Sequence, residues 1–380
     1  MKIICTVIND LNYDQRMQRI CTSLQENGHE VVLIGRQIKT SKPLTKQSFG
    51  QRRVRCFFNH GKFFYIEYNI RLWWILLFSS FDVVCSVDLD TILPGFYISK
   101  IKGKTCVYDA HEYFSEVPEV VNRRLTKAIW EKVANLTIPK VKYAYTVSQS
   151  LGTALTERYQ TPFGIIRNVP FAYQPINESD IQRVSKKYQL PVKKTSEKIL
   201  IYQGALNDGR GIEQLLEAIK DVKNISVWLV GEGDLSDFLR KKAQSLAVMD
   251  KVHFLGFVQP TDLKVLTRLA DIGYNLLENK GKSYYYSLAN KSFDYVQAEK
   301  PALHPNFPEY IFLNQQYEIS LLIPNLSLDA IKSAIERLLT DDEFYNRLSQ
   351  NCKKAKSEWF WEKEEKELLS IYESIEKAIS

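Results

Sequence analysis

Apolar and polar residues alternate along this chain in two rhythms. Short apolar runs at Lys2–Ile8, Glu30–Ile34, Val54–Phe58, Asp82–Ser86, Thr105–Tyr108 and Tyr143–Val147 suit buried strands. Helical spacing lies between them: Met17, Ile20, Cys21 and Leu24 share one face of a helix predicted over Asp14–Asn27, which Gly28 ends. Residues 169–197 break the rhythm with Pro170, Pro175, Pro191 and many polar positions. It then resumes, with strands at Ile199–Tyr202, Ile225–Val230, Val252–Leu255 and Ile272–Asn275 and helices near 211–221, 234–247 and 260–269. The tail, 327–380, reads as helical, with Leu368, Ile371, Tyr372, Ile375 and Ile379 on one face.

Strands alternating with helices imply parallel sheets covered on both faces. The expected fold class is therefore α/β: two Rossmann-like, doubly wound domains facing a cleft, with a C-terminal helical tail. The boundaries expected are 1–170 for the first domain, 171–197 for a linker and 198–358 for the second domain. A helix over 359–380 is expected to pack back across to the first domain. Ligands of such folds bind beyond the carboxyl ends of the strands.

One stretch concentrates candidate chemistry. Residues 198–219 form a strand, a turn bearing Gly204, Gly209 and Gly211, and a helix with Ile212, Leu215, Leu216 and Ile219 on one face. Such a turn gathers unpaired backbone N–H groups and a helix N-terminus, which attract anions. Arg210 adds a positive charge beside them. The glycine spacing is not that of a P-loop, and an ordinary strand-to-helix turn is the simpler alternative.

Composition narrows the classes. The 380 residues carry a net charge of +7. Eight Lys or Arg and no Asp or Glu fall within 36–62. That basic segment, followed by Phe63, Phe64, Trp73 and Trp74, suits an anionic membrane surface. A solvated loop followed by a buried helix fits equally, and no nucleic-acid recognition motif accompanies the patch. The most apolar run, Leu72 to Phe78, is far shorter than the ~20 residues of a membrane span. No signal sequence is apparent, and six scattered cysteines without a CxxC pair suggest reduced core residues, so a cytoplasmic protein is expected, at most peripheral at the inner face of the membrane. The histidines show no metal-ligand spacing. Asp88 and Asp90 form a D-x-D, a pattern that holds a metal in other contexts; no metal is expected here.

Several motifs in order resemble the family-four retaining glycosyltransferases, which have the GT-B fold. They are NDLNYDQR (9–16), VDLDT (87–91), YDAHEYFSEVPE (108–119), TVSQSL (146–151), RNVP (167–170), YQGALNDGRGIEQLLEA (202–218), LVGEGD (229–234), VHFLGFV (252–258) and LANKSFDYVQAEKP (288–301). The resemblance implies transfer of a sugar, with retained anomeric configuration, from a nucleoside diphosphate sugar to a glycan or lipid-linked acceptor, as in bacterial surface polysaccharide synthesis. It implies no cofactor, the sugar nucleotide being a substrate, and no nucleic-acid partner. His111, Arg210 and Lys291 are the implied catalytic residues. Gly204, Gly209, Gly211, Gly231, Phe257, Val258, Ser287, Leu288, Ala289, Asn290 and Asp294 are the implied donor contacts, Asp294 as acceptor for the ribose hydroxyls. Asn9, Asp10, Arg16 and Glu116 are the implied acceptor side, with Asn168 nearby. Two family positions differ: Ala205 stands where an Arg is usual, and Tyr286 where the first of two paired glutamates is usual. Lys291, Lys282 or Lys280 are candidates to replace the missing cation. A sugar-nucleotide epimerase of similar fold and a non-catalytic nucleotide-sugar-binding protein are the alternatives.

Overall fold

In the computed structural model, which describes residues 1–379, the chain divides into two compact units. The first holds Met1–Asn168, Gly281–Ser287 and the chain from Glu362 onward; the second holds Val169–Lys280 and Leu288–Trp361. Each is built on one sheet whose paired strands all run parallel.

The first sheet contains β1 (Lys2–Thr6), β2 (Glu30–Gln37), β3 (Gly50–Arg55), β4 (Val83–Val87), β5 (Thr105–Ala110), β6 (Tyr143–Thr146) and β7 (Phe163–Ile165), in the order β3-β2-β1-β4-β5-β6-β7. The winding reverses between β1 and β4, so the loops leaving these strands diverge and open a crevice at their carboxyl ends. Asp14 caps the following helix, Gln15–Glu26, by accepting from Met17 N–H at 3.1 Å. The helix Gly61–Phe78 turns Phe64, Tyr68, Leu72 and Leu76 into the core, an i, i+4 row along one face. The terminal helix, Trp361–Ile379, contributes Glu364, whose carboxylate meets the Arg167 guanidinium at 2.7 Å, and buries Leu368, Tyr372 and Ile375.

The second sheet contains β8 (Lys198–Gln203), β9 (Ile225–Val230), β10 (Val252–Gly256), β11 (Ile272–Tyr274), β12 (Ala302–Pro305) and β13 (Ser320–Ile323), in the order β10-β9-β8-β11-β12-β13. Its reversal lies between β8 and β11. The glycine turn after β8 therefore sits at the switch point.

Three expectations need correction, and three strands were not anticipated. β3 starts at Gly50, before the apolar run at Val54–Phe58, because it is an edge strand rich in arginine; Phe57 and Phe58 fall beyond it and are exposed. The helix expected near 211–221 spans only Ile212–Ala218. β7, β12 and β13 lacked a clear pattern, being only three or four residues long. The segment 171–197 is not a loose linker. It contains the helix Glu178–Lys187, whose buried Val184 joins Ile199, Trp228 and Tyr295 in a core cluster, while Asp262 accepts from Arg183 and Lys187, each at 2.7 Å.

Candidate active site

In the second unit the turn after β8 is held in a shape that only glycine suits. Gly204, Gly209 and Gly211 have φ of 137°, 77° and 66°. Gly231, φ 130°, closes against the turn from β9: a Cβ there would lie 2.0 Å from the Gly204 carbonyl oxygen. Gly231 thus supports the loop and leaves no room for a side chain of its own. Leu206 N–H donates to the Glu232 carbonyl at 3.3 Å, and Leu235 N–H to the Leu206 carbonyl at 2.9 Å, tying the two loops together.

Lys291 enters this turn from the first turn of the helix Asn290–Gln297. Its ammonium lies 4.1 Å from the Tyr202 ring centroid, a cation–π contact. It is also the atom a Gly204 Cβ would meet first, at 3.4 Å. Burial, and secondarily the positive charge of Arg210, push the Lys291 amine down to about 7, against the pull of Asp294. Two cations therefore converge on a glycine turn. An anion placed there relieves both the desolvation and the repulsion. Lys280 does not join them: it is held by Asp208 at 2.6 Å and Glu278 at 3.0 Å. Lys282 falls in the first unit.

Asp294 lies one turn further along the same helix. Its carboxylate accepts from the Tyr173 hydroxyl at 2.9 Å and from the Gln203 amide at 2.8 Å. These bonds fix its orientation. Asn290 is exposed at the helix start. Of the expected backbone contacts, Ala289 N–H is already taken by the Tyr310 hydroxyl at 3.1 Å, and Leu288 is buried. Ser287 belongs to the first unit, where its hydroxyl donates to the Tyr284 carbonyl at 2.8 Å. Phe257 is 65% exposed just past β10, whereas the Val258 side chain is turned into the core and is not available to a ligand.

In the first unit, His111 follows β5 and is the hub of a charged cluster. Its Nε2 lies 3.1 Å from Asp109 Oδ2, and its backbone N–H donates to Asp88 Oδ1 at 2.9 Å. Arg16 donates to Asp109 Oδ1 at 3.1 Å and to the Ile166 carbonyl at 2.7 Å, and its Nε approaches His111 Nε2 at 3.1 Å. One nitrogen cannot accept from Arg16 and donate to Asp109 together. Burial alone would lower the His111 pKa, but the charges of Asp109 and Asp88 outweigh it and raise it to about 9. The imidazolium thus donates to Asp109, and Arg16 is held by its other two contacts.

The acceptor-side expectations change accordingly. Arg16 is only 4% exposed: it is a buried brace for Asp109 and His111, not an open contact. Asp10 is engaged by Arg53 and Ser41 and builds the loop. Asn9 donates to Asp14 at 2.9 Å, Glu116 pairs with Lys127, and Asn168 accepts from Arg19. Asp88 adopts φ 54°, and burial raises its carboxyl to about 6; Asp90 is buried and raised well above its ordinary value by burial and then by Asp88.

Asp109, Tyr202, Tyr173 and Gln203 were not singled out from the sequence. Asp109 left a signal, an acid inside an apolar strand run; the others read as ordinary strand-end or loop residues. Tyr286 packs against the core of the first unit, and its carbonyl accepts from Ser148 at 3.2 Å, so an aromatic anchor occupies the position of the usual glutamate.

Residues 185–355 match the family described as glycosyl transferases group 1. An uncharacterised glycosyltransferase of Methanocaldococcus jannaschii is 25% identical over 235 residues, 60% of this chain; the chain spans 58% of that relative's length. Among solved structures, a sucrose-phosphate synthase from Thermosynechococcus elongatus superposes with a TM-score of 0.82 at 16% identity, covering 100% of each chain. Anabaena HepE in complex with UDP and glucose gives 0.77 at 15% identity, covering 100% of this chain and 99% of that one. Residues 185–355 thus match the glycosyl transferases group 1 family, and the chain as a whole has the GT-B fold.

Proposed function

We propose that the protein is a retaining glycosyltransferase that moves a sugar from a nucleoside diphosphate sugar to a glycan or lipid-linked acceptor in bacterial surface polysaccharide synthesis. The observation that carries this reading is the Lys291 ammonium set against the glycine turn after β8, 3.4 Å from where a Gly204 Cβ would stand, on a turn that itself carries Arg210. The leaving group is a diphosphate, on which negative charge builds as the glycosidic bond breaks. Preoriented cations and backbone N–H groups stabilise that charge more in the transition state than in the ground state. Lys291 supplies the charge that Ala205 lacks. Asp294, fixed by Tyr173 and Gln203, takes the ribose hydroxyls.

His111 works from the first unit as a cationic hydrogen-bond donor. With its pKa raised to about 9 it is already protonated near neutrality and is a weak base there. In the retaining reading the departing phosphate oxygen takes the acceptor's proton. Because side chains meet the diphosphate, turnover in this reading is insensitive to metal chelation.

The test is incubation with labelled sugar nucleotides and candidate acceptors, with the anomeric configuration of the product read by NMR. Retained configuration and undiminished turnover in chelator support the reading. Inversion, epimer formation or binding without transfer contradicts it.

A further inference from the structure

Two helices on one face of the first sheet, Gly61–Phe78 and Asp88–Lys102, pack side by side. The first carries apolar residues on two opposite faces. Opposite its buried row, Phe63, Ile66, Ile70, Trp74 and Phe78 form an outward stripe, each more than half exposed. A helix of this kind is ordinarily covered on both sides. The Trp74 and Phe78 rings stack at 5.9 Å, and the stripe continues at Phe57, 86% exposed, and on the neighbouring helix at Ile101, 65% exposed. Between the two helices runs an apolar groove of about 420 Å³, lined by Ile70, Trp73, Trp74, Leu93, Pro94 and Tyr97. Patches of this extent mark interaction surfaces.

The charges around the stripe select the partner. Lys62 stands exposed at the start of the helix, and Lys39, Arg55 and Arg71 line a pocket of about 790 Å³ beside Phe57. At the far end Lys100 is exposed, and Lys104, also exposed, is held by Asp82 at 2.9 Å. Glu67, the acid on the first helix, is occupied by Arg71 at 2.8 Å and by the backbone N–H groups of Phe57 and Phe58. Asp88 and Asp90 lie in the first turn of the second helix, Asp90 buried, so Asp82 is the acid that offsets a cation here, Lys104. No helix among the described residues is long and apolar enough to cross a membrane. An apolar stripe with cations at both ends matches a surface that is apolar beneath an anionic layer.

We propose that this face docks on an anionic lipid bilayer. The Gly61–Phe78 helix lies in the plane of the interface, its stripe reaches the acyl boundary, and Lys62, Arg55 and Lys100 meet lipid phosphates. A polar face on a partner protein would want fewer cations, and a second copy of this chain would bring like charges together.

The test is co-sedimentation of the full chain with phosphatidylglycerol-containing vesicles and with pure phosphatidylcholine vesicles. Binding is expected to the anionic vesicles at low salt and to fall at least about tenfold near 0.5 M salt, where the Debye length is only a few ångströms. The triple variant I70S/W74S/F78S changes exposed positions and is expected to keep its melting temperature while losing about tenfold or more in binding. The variant R55E/K62E/K100E is expected to lose about fivefold or more per charge. Wild-type protein left in the supernatant with anionic vesicles at low salt overturns the proposal. So does binding that the two variants share equally with wild type, or a dimer by light scattering that I70S/W74S/F78S dissolves.

Discussion

At the residue scale, the site depends on where charge is held before any ligand arrives. Arg210 projects from a turn flanked by two glycines with positive φ, and its removal deletes a cation without opening a core. Arg210→Ala is expected to lower kcat/KM by about 10²–10³-fold. Its melting temperature should stay within about 2 °C of wild type. Lys291 gives a second, protonic readout. With its free amine at about 7, much of it is neutral at about pH 8, and an incoming diphosphate favours the charged form. Calorimetry of nucleoside diphosphate binding near pH 8, in buffers of different ionisation enthalpy, should reveal proton uptake that Lys291→Met abolishes; equal uptake in both would remove Lys291 from the phosphate site. His111 has the opposite sign. Its folded pKa, about 9, exceeds the ordinary 6.5, so its stabilising contribution is complete below about 6.5 and disappears as pH rises through about 9. The stability advantage of wild type over His111→Gln should shrink across that window. Arg16 shows what a residue-by-residue reading of the sequence misses: a buried arginine looks like a surface one until Asp109, 93 positions away, is folded against it.

At the element scale, the turn after β8 and the loop after β9 form one support. Gly231→Ala would place a Cβ 2.0 Å from the Gly204 carbonyl and force a side chain into φ 130°. It is expected to destabilise the protein by about 2–4 kcal/mol, read as a lower melting temperature, with nucleotide affinity falling alongside. An unchanged melting temperature would mean that the two loops are not coupled. The long apolar runs of β8 and β9 and the glycine punctuation were legible in the sequence, because burial on both faces leaves an unbroken apolar string. β12 and β13 were not, since ALHP ends in proline and SLLI is too short to show a period. Residues 178–187 looked like linker because only Val184 of that helix is fully buried, and one apolar position carries no period.

At the scale of the whole molecule, two parallel sheets followed from the alternation of strands and helices, the strand order and its switch points came only with the structure, and motif order led to the GT-B fold. The partition of Gly281–Ser287 into the first unit was not legible, because it depends on tertiary packing such as that of Tyr286 against a distant core. The outward stripe of the Gly61–Phe78 helix was equally hidden, since an apolar run does not say which of its residues meet water. The donor turn is the claim on which the functional reading depends. Its most direct test is calorimetric titration of the full-length chain, wild type and Arg210→Ala/Lys291→Met, with UDP and with GDP. One nucleoside diphosphate is expected to bind wild type and to bind the double variant about 10²-fold or more weakly. Equal affinity in the two proteins, or no binding of either nucleotide to wild type, would contradict the account.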